Sequence, residues 1–392
     1  MLRKAAALAV GVLTGASLVA LPVAGHATPS AGSAPVTAAV TAKLLDAAQA
    51  AGQRTVRPQD ARITINRRDG NRWVFGIAVL TAPNEEGAYP TGAVFLARAT
   101  GRHWQVAFDG EAAFSELAAQ APVVTEAERT VFTADAEPGV MYAGGDYRTG
   151  MSLPWTTGQT WTLTGGPHGW SGYDTPWSSA DFAGGDQIVR AVRSGTAYTM
   201  CQGWVRVIHD RGYATDYYHL WSNISVNGAS VGQGAFLGYT GTDVTCGGSA
   251  SGRHVHFGLR QNGAYVPLAG HALGAWVFEN GGSAYQGGAR NGSTWRGPGS
   301  GLYNRGALGL NQGIVDAFGG GWVNKRSGPG TGYAIVGSVA DGSVVTVSCS
   351  AYGTSHTGRY GTTNLWNRLT DGTWVSDAYL WTGMSGPING WC

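Results

Sequence analysis

Two histidines stand one residue apart in GRHVHFGLR, residues 252–260, a segment with the character of a β-strand. Alternate residues of a strand project to the same face of a sheet, so His254 and His256 lie side by side, while Val255 and Phe257 point away. Two adjacent neutral imidazoles make half of a metal site, or one ligand beside a general base. An isolated H-x-H is more often a structural pair, so the interpretation depends on which other residues join it.

His168 and Asp181 are the candidates to complete a metal site with His256. His168 lies in a loop rich in Gly, Pro and Ser, and Asp181 follows thirteen residues later, just before a pair of glycines. A catalytic zinc ion takes three nitrogen or oxygen ligands from the protein and keeps a fourth position for water, whose pKa it lowers. On the residues alone, Asp174 and Asp186 compete with Asp181 for the carboxylate position.

Hydrolysis at such a centre also needs a base for the water and a group that stabilises the oxyanion. His254, beside a ligand on its strand, and His219, at the end of the strand in TDYYHLW, are the candidates. His219 taken alone could equally be a buried structural imidazole. His209, at the end of another strand, is assigned no metal role.

The N-terminus has the features of a secretory signal peptide over residues 1–27. Arg3 and Lys4 precede an apolar run from Ala5 to Val23, and small residues at Gly25 and Ala27 provide a cleavage site. Elsewhere no stretch approaches the ~20 apolar residues of a membrane helix, so we expect a secreted, extracellular protein with no membrane anchor after signal removal. A net charge of +2 and the lack of a basic stripe argue against a nucleic-acid partner.

Four cysteines suit an exported chain and suggest two disulfides with three possible connectivities. Pairing Cys201 with Cys246 and Cys349 with Cys392 is the simplest arrangement, because each bond then stays within one predicted domain.

We predict a mainly β protein in five segments. They are a signal peptide (1–27), a small α+β unit (28–140), a β domain (141–280), a Gly-rich linker (281–311) and a second short-strand domain (312–392). Close spacing of short strands after residue 140 favours antiparallel sheets. The acidic run Val123–Gly139 is predicted to be a connector, and the composition of 281–311 predicts flexibility.

Residues 145–280 resemble the lysostaphin-like zinc metallopeptidases, in particular the staphylolysin and β-lytic endopeptidase branch. The segments that carry the resemblance are LPWTTGQTW, GGPHGWSG, PWSSADF, ATDYYHL and GRHVHFGLRQNGAYV. It implies one zinc ion held by His168, Asp181 and His256, and it implies His254 and His219 as the catalytic pair.

Further expectations follow from the same resemblance. Cys201 and Cys246 fall where this branch carries a disulfide, and Tyr218 is expected near the substrate. The fold it implies is a mostly antiparallel β structure with a groove across the sheet, and the substrates it implies are Gly-containing peptides of peptidoglycan. We therefore predict a secreted bacteriolytic zinc endopeptidase that cuts cross-bridges or stem peptides at Gly.

Two alternatives keep the fold but change the function. One is a secreted protease for Gly-rich proteins such as elastin. The other is a non-catalytic cell-wall-binding regulator, against which the intact ligand set argues.

The flanks carry weaker resemblances. VNKRSGPGTGYAIVGSVADGS and TNLWNRLTDGTWVSDAYL resemble a bacterial SH3-type domain, a small β-barrel, although Lys325 stands where an aliphatic residue is usual. Such domains often bind cell-wall peptide, with Trp322, Tyr333 and Trp374 as the exposed aromatic candidates. Residues 28–140 occupy the propeptide position of this branch and are expected to cover the groove until they are cleaved off. We expect a monomer whose partner is peptidoglycan.

Overall fold

The computed structural model describes residues 34–53, 56–133 and 146–392. The predicted signal peptide and the part of the predicted connector beyond Thr133 lie outside these residues. The described chain is mainly β with antiparallel sheets, as predicted. None of its helices is long and apolar enough to cross a membrane.

The N-terminal unit is the predicted α+β structure, a four-stranded antiparallel sheet in the order β1-β2-β3-β4 with helices around it. Val36, Val40, Leu44 and Ala48, spaced four residues apart on α1, are buried against one face of this sheet. Its elements are α1 (Ala34–Ala50), a short 3-10 helix (Pro58–Asp60), β1 (Ala61–Asp69), β2 (Trp73–Leu80), β3 (Thr91–Thr100), β4 (His103–Phe108), α2 (Ala112–Gln120) and α3 (Glu126–Thr133).

Helix α3 corrects the prediction of a connector at Val123–Gly139. Thr125 Oγ1 accepts from the Glu128 amide at 3.3 Å and the Glu128 carboxylate accepts from the Thr125 amide at 2.9 Å, which is a capping box. The fully buried Glu128 also pairs with Arg67 and accepts from Tyr198 Oη of the central unit at 2.7 Å. Part of the acidic run predicted as a connector therefore begins a helix and anchors it at an interface.

The central unit is built on a nine-stranded antiparallel sheet, ordered β11-β8-β9-β10-β13-β6-β5-β19 with β14 beside β13, and a ribbon of β7 and β12. Its strands are short and antiparallel, as the close spacing after residue 140 predicted. They are β5 (Thr160–His168), β6 (Ser179–Ala183), β7 (Ile188–Arg190), β8 (Gly195–Cys201), β9 (Trp204–Ile208), β10 (Tyr213–Tyr218), β11 (Asn227–Val231), β12 (Phe236–Tyr239), β13 (Val255–Gln261) and β14 (Ala264–Tyr265).

The predicted flexible linker, residues 281–311, is wrong, because this segment supplies strands. A four-stranded sheet is formed by β15 (Ala272–Leu273), β16 (Trp276–Glu279), β17 (Gly288–Asn291) and β18 (Thr294–Arg296), and β19 (Gly301–Tyr303) pairs with β5. Composition did not predict these strands, because backbone hydrogen bonds stabilise a strand whatever its side chains are. The small residues here also allow close packing. Gly287, for example, lies where an added Cβ would be 2.3 Å from Glu279 O.

The C-terminal unit is a seven-stranded sheet in the order β22-β21-β25-β24-β23-β20-β26. Its likeness to an SH3-type domain stays a prediction. Both disulfides have the expected pairing, Cys201–Cys246 and Cys349–Cys392. The strands are β20 (Gln312–Val315), β21 (Trp322–Arg326), β22 (Ile335–Ala340), β23 (Val344–Gly358), β24 (Gly361–Leu369), β25 (Trp374–Ser376) and β26 (Leu380–Trp381), with a short 3-10 helix at Asp377–Tyr379.

The N-terminal sheet packs face to face on the central sheet. Phe75 and Ile77 of β2 share a buried cluster with Tyr198 of β8 and Trp204 of β9. The covered face of the central sheet is also the face to which His256 of β13 points, because β10 and β13 are paired and Tyr218 of the same cluster lies opposite His256. The N-terminal unit therefore lies over the predicted site.

Candidate metal centre

The predicted ligands come from adjacent strands. His256 on β13 is directly opposite Asp181 on β6, so both side chains share one face. His256 Nδ1 lies 2.9 Å from Asp181 Oδ1. Next to β6 lies β5, which ends at His168. The strand order thus unites residues that are far apart in sequence.

His168 is directed into the site by an irregular stretch of β5. The register with β6 shifts between Leu163 and Gly165 and again between Gly165 and His168, and such bulges re-aim side chains. A Cβ on Gly166 would lie 2.1 Å from Gly287 O, so only glycine fits there. His168 Nδ1 donates to Gly166 O at 2.7 Å, which leaves the Nε2 lone pair for a metal.

The spacing of the donor atoms suits a small tetrahedral ion. Donor atoms of His168, Asp181 and His256 lie within 4.8 Å of one another. His168 Nε2 is 3.2 Å from His256 Nδ1 and 3.5 Å from Asp181 Oδ1. Ligand atoms about 2.05 Å from a tetrahedral zinc ion are about 3.3 Å apart. Two nitrogens and one oxygen are the donor set of a catalytic site with one position left for solvent.

The two competing carboxylates, Asp174 and Asp186, form hydrogen bonds with nearby residues of their own loops. Asp174 accepts a hydrogen bond from Ser171 Oγ at 3.1 Å. Asp186 accepts from the amide of Ile188 at 3.0 Å, two residues on in the chain. These are turn contacts, and the structure brings Asp181 alone of the three aspartates to the histidines.

The electrostatics of the site favour ligand-competent protonation states. Burial lowers the pKa of His168 to about 4, against the opposing pull of Asp181, so its imidazole is neutral near pH 7. Burial would raise the pKa of Asp181, but the neighbouring imidazoles of His168 and His254 outweigh it and hold that pKa below its usual range. A neutral imidazole beside a carboxylate can bind a divalent cation without first losing a proton.

The two predicted catalytic histidines lie beside the ligands. Their ring centroids are 4.9 Å apart, and His254 Nε2 is 3.7 Å from Asp181 Oδ1. His254 Nδ1 donates to Gly252 O at 2.7 Å, and His219 Nδ1 donates to Asp243 O at 2.9 Å. In both rings Nε2 is therefore the atom left for proton transfer, and His219 Nε2 is buried with no hydrogen-bond partner among the described residues. Burial lowers the pKa of His219 to about 3.

His209 lies apart from the site, in keeping with the absence of a predicted metal role. It is buried, with Nδ1 2.9 Å from Ser194 O and Nε2 2.9 Å from Thr215 Oγ1. These contacts complete its hydrogen bonding and define a structural imidazole.

Tyr285 is a site residue that the sequence reasoning missed. Its ring stacks on His168 with 3.8 Å between centroids, and burial raises the pKa of its hydroxyl. It lies in the segment that composition had marked as a linker. No spacing pattern in the sequence predicts it. Tyr285 comes close to His168 only in the tertiary structure, in which β17 contacts β5 and β19 pairs with β5.

The four residues expected to contact substrate differ in their exposure. Tyr218 stacks on His219 at 4.4 Å, but it is fully buried and its hydroxyl donates to Gly247 O at 2.6 Å. Trp322 and Tyr333 are exposed on the C-terminal unit. Trp374 is half-buried, which corrects the expectation that it is exposed. Contact of these residues with substrate stays a prediction.

The N-terminal unit reaches the site through Tyr89, in the loop between β2 and β3. The Tyr89 ring lies 5.3 Å from His256 and 6.5 Å from His219, and its hydroxyl shares a hydrogen bond with Tyr285. The loop is held to the central unit by bonds from the Ala82 amide to Cys246 O and from the Gly248 amide to Pro83 O, both 2.9 Å. An aromatic side chain thus covers the ligand set.

A His2Asp set flanked by two imidazoles with free Nε2 atoms is typical of metallohydrolases. Residues 175–267 match the sequence profile of peptidase family M23, so the chain contains a domain of this family.

Two relatives and a solved structure each match between a third and two fifths of the chain. Protease LasA of Pseudomonas aeruginosa is 34% identical over 145 residues, which cover 34% of this chain and 35% of LasA. The beta-lytic metalloendopeptidase of Lysobacter enzymogenes is 27% identical over 147 residues, 34% of this chain and 82% of the relative. The M23 metalloprotease pseudoalterin, from the deep sea, is a solved structure with 31% identity and a TM-score of 0.37, covering 39% of this chain and 97% of its own. The match thus spans about a third of the length of LasA.

Proposed function

We propose that this protein is a secreted zinc endopeptidase that hydrolyses peptide bonds at glycine in bacterial peptidoglycan. The observation that carries the proposal is the convergence of His168, Asp181 and His256 within 4.8 Å, with the imidazoles of His254 and His219 beside them. The membership of this domain in peptidase family M23 supports the reaction class.

Zinc held by the three ligands would supply a positive charge that acidifies water and polarises a peptide carbonyl. His254, whose Nδ1 proton is committed to Gly252 O, has an Nε2 lone pair that takes the proton of the attacking water. As the new C–O bond forms and the C–N bond breaks, the same Nε2 returns that proton to the departing amine. His219 Nε2 is unpaired among the described residues and carries the lone pair of the ring, so in this proposal it takes up a proton from solvent before it donates to the charged carbonyl oxygen.

The crowding of the site supports glycine in the substrate. Aromatic rings of Trp170 and Tyr285 lie 4.8 Å and 3.8 Å from the imidazoles of His256 and His168 respectively. A peptide without side chains can bring its backbone close to the ligands between such walls, whereas a bulky side chain meets them.

In this proposal the N-terminal unit is an inhibitory propeptide. The stacking of Tyr89 near His256 and the loop's backbone bonds to Cys246 and Gly248 support it, because they occupy the space that a substrate needs. Cleavage between Thr133 and Asp146, followed by release of the unit, would open the groove. Recovery of fully active protein that still begins near residue 28 would contradict this role.

The test is hydrolysis of purified peptidoglycan by the processed protein, with the released fragments identified by mass spectrometry. We expect new amino termini at glycine, loss of hydrolysis in a chelator, and recovery with added Zn²⁺. Elastin serves as the comparison substrate. Faster cleavage of elastin than of peptidoglycan favours a protease for Gly-rich proteins, and wall binding without any cleavage favours a non-catalytic regulator.

A further inference from the structure

Residues 89–92 of the N-terminal unit, which lead into β3, contact the central unit from the metal centre to a pair of arginines. Tyr89 lies over His256 at one end. Next along the chain, the carbonyl of Pro90 accepts from Trp170 Nε1 at 2.9 Å. The carbonyl of Gly92 then accepts from two arginines of the central sheet. Residues 89–92 thus connect the metal centre with the two arginines through contacts of Tyr89, Pro90 and Gly92.

The two arginines, Arg206 and Arg260, share one resident anion, Asp216. Arg206 Nε and Nη2 bind the two Asp216 oxygens at 2.8 and 3.0 Å. The same oxygens also accept from Trp204 Nε1 at 2.8 Å and Tyr265 Oη at 2.9 Å. These four hydrogen bonds to Asp216 come from its own unit, and Arg260 makes none of them.

One nitrogen of each arginine, Nη1, faces the covering unit, whereas Arg260 Nη2 donates to Gly263 O of the central unit. Arg206 Nη1 donates to Gly92 O at 2.9 Å and lies 3.3 Å from Asp109 Oδ2. Arg260 Nη1 donates to Gly92 O at 3.3 Å, and Arg260 Nε is buried with no partner among the described residues. Asp109 is the second carboxylate beside the pair, and it contacts Arg206. Without the N-terminal unit, two guanidinium groups and one carboxylate leave an excess of one positive charge.

Gly92 indicates the size of residue that fits against this part of the central sheet. A Cβ added there would lie 3.0 Å from the Trp204 ring and 3.1 Å from Met200 Cε. The strand packs here without displacing Trp204 or Met200 because residue 92 has no side chain. A substrate that takes the same path is subject to the same limit.

We propose that Arg206 and Arg260 form a subsite for a carboxylate of the substrate peptide, and that the Asp109 carboxylate and the Gly92 carbonyl occupy it in the uncleaved chain. The inference rests on the proposed function. Arg260 is four residues from His256 on the same face of β13, a distance of about 13 Å along a strand. The carboxylate is thus expected about four extended residues from the scissile bond, on a glycine or other small residue.

The experiment uses the full chain, nicked at a protease site introduced between Thr133 and Asp146, so that both units stay in the sample. The probes are N-terminally labelled oligoglycines of increasing length, each with a free C-terminal carboxylate or a carboxamide. We measure KM and kcat for each pair, and in parallel how much N-terminal unit each peptide displaces. Charge-assisted hydrogen bonds predict a KM roughly tenfold lower for the carboxylate form of the longer peptides.

Replacement of Arg260 separates the subsite from the proposed function. Arg260→Gln should raise KM for the carboxylate peptide to that for the carboxamide, and Arg260→Lys should keep part of the preference. Arg296→Gln, at an exposed arginine of β18, is the matched control and should keep all of it.

Equal KM values for both peptides in the unmutated protein would overturn the subsite and leave the peptidase intact. If neither peptide is hydrolysed, the proposed function fails, and displacement of the N-terminal unit then decides the subsite. Stronger displacement by the carboxylate form, lost in Arg260→Gln, supports it, whereas equal displacement overturns it.

Discussion

The Nδ1 atom of His256 lies 2.9 Å from the Oδ1 atom of Asp181, directly across the pairing of β13 with β6. This separation is close to the ~3.3 Å between ligand atoms that a tetrahedral zinc ion would need. Antiparallel pairing therefore pre-forms half of the site, and His168 closes it.

Removal of one ligand should abolish metal binding. His256→Ala leaves His168 and Asp181, fewer than the three ligands typical of a catalytic zinc site, so we expect zinc content to fall from about one ion per chain to near zero. Zinc is measured by mass spectrometry after dialysis. His103→Ala, at an exposed histidine of β4, is the control and should keep its zinc. Unchanged zinc in His256→Ala would remove this residue from the ligand set.

The catalytic role of His254 should be separable from metal binding. His254→Ala keeps all three ligands but lacks the Nε2 that takes the proton, so we expect near-normal zinc content and a kcat lower by roughly 10²–10⁴-fold. Rates are measured on a glycine peptide with the processed protein. Full activity in this variant would show that another group serves as the base.

Tyr89 should limit the activity of the uncleaved chain. Tyr89→Ala removes an aromatic ring packed over His256 and the hydrogen bond to Tyr285, so we expect at least roughly tenfold faster peptide hydrolysis by intact protein. The control is Arg102→Ala, at an exposed turn of the same unit. If Tyr89→Ala is no faster than this control, the loop covers the site without governing access.

Stability should fall in acid because two buried histidines outside the metal site must gain a proton. Burial lowers the pKa of both His209 and His271 to about 4. Because the unfolded value is about 6.5, the stability they confer is complete above pH 6.5 and is lost as the pH falls towards 4.

His209→Gln tests this linkage. It should reduce the loss of unfolding free energy between pH 7 and pH 5 by about 2 kcal/mol, as measured in urea. His103→Gln should leave that loss unchanged. A His209→Gln protein with the same pH dependence as the unmutated one would assign the acid sensitivity to other groups.

The two disulfides should differ in what they support. Cys201–Cys246 closes onto the loop whose Asp243 carbonyl orients His219, so a double Ser variant there should lower kcat. Replacing Cys349 and Cys392, 43 residues apart, should cost the C-terminal unit up to about 4 kcal/mol and leave the rate on a short peptide unchanged. Equal kcat in both double variants would show that the first bond does not position the histidine.

Local patterns were sufficient to predict some elements. The H-x-H pair predicted that His254 and His256 share one face, and both imidazoles lie beside Asp181. Composition was a poor guide at residues 281–311, because the strands there depend on partners far away in sequence. The same holds for Glu128, whose buried contacts with Arg67 and Tyr198 no local pattern shows.

The sequence by itself determined the kinds of donor atoms, two imidazoles and a carboxylate, and the alternation that brings His254 next to His256, because both are properties of residue type and strand periodicity. The tertiary structure alone decided that Asp181, and not Asp174 or Asp186, joins them, and that Tyr285 and Tyr89 close around the site. The reason is physical: which side chains meet across a sheet is set by strand order and register, and these result from the packing of the whole chain.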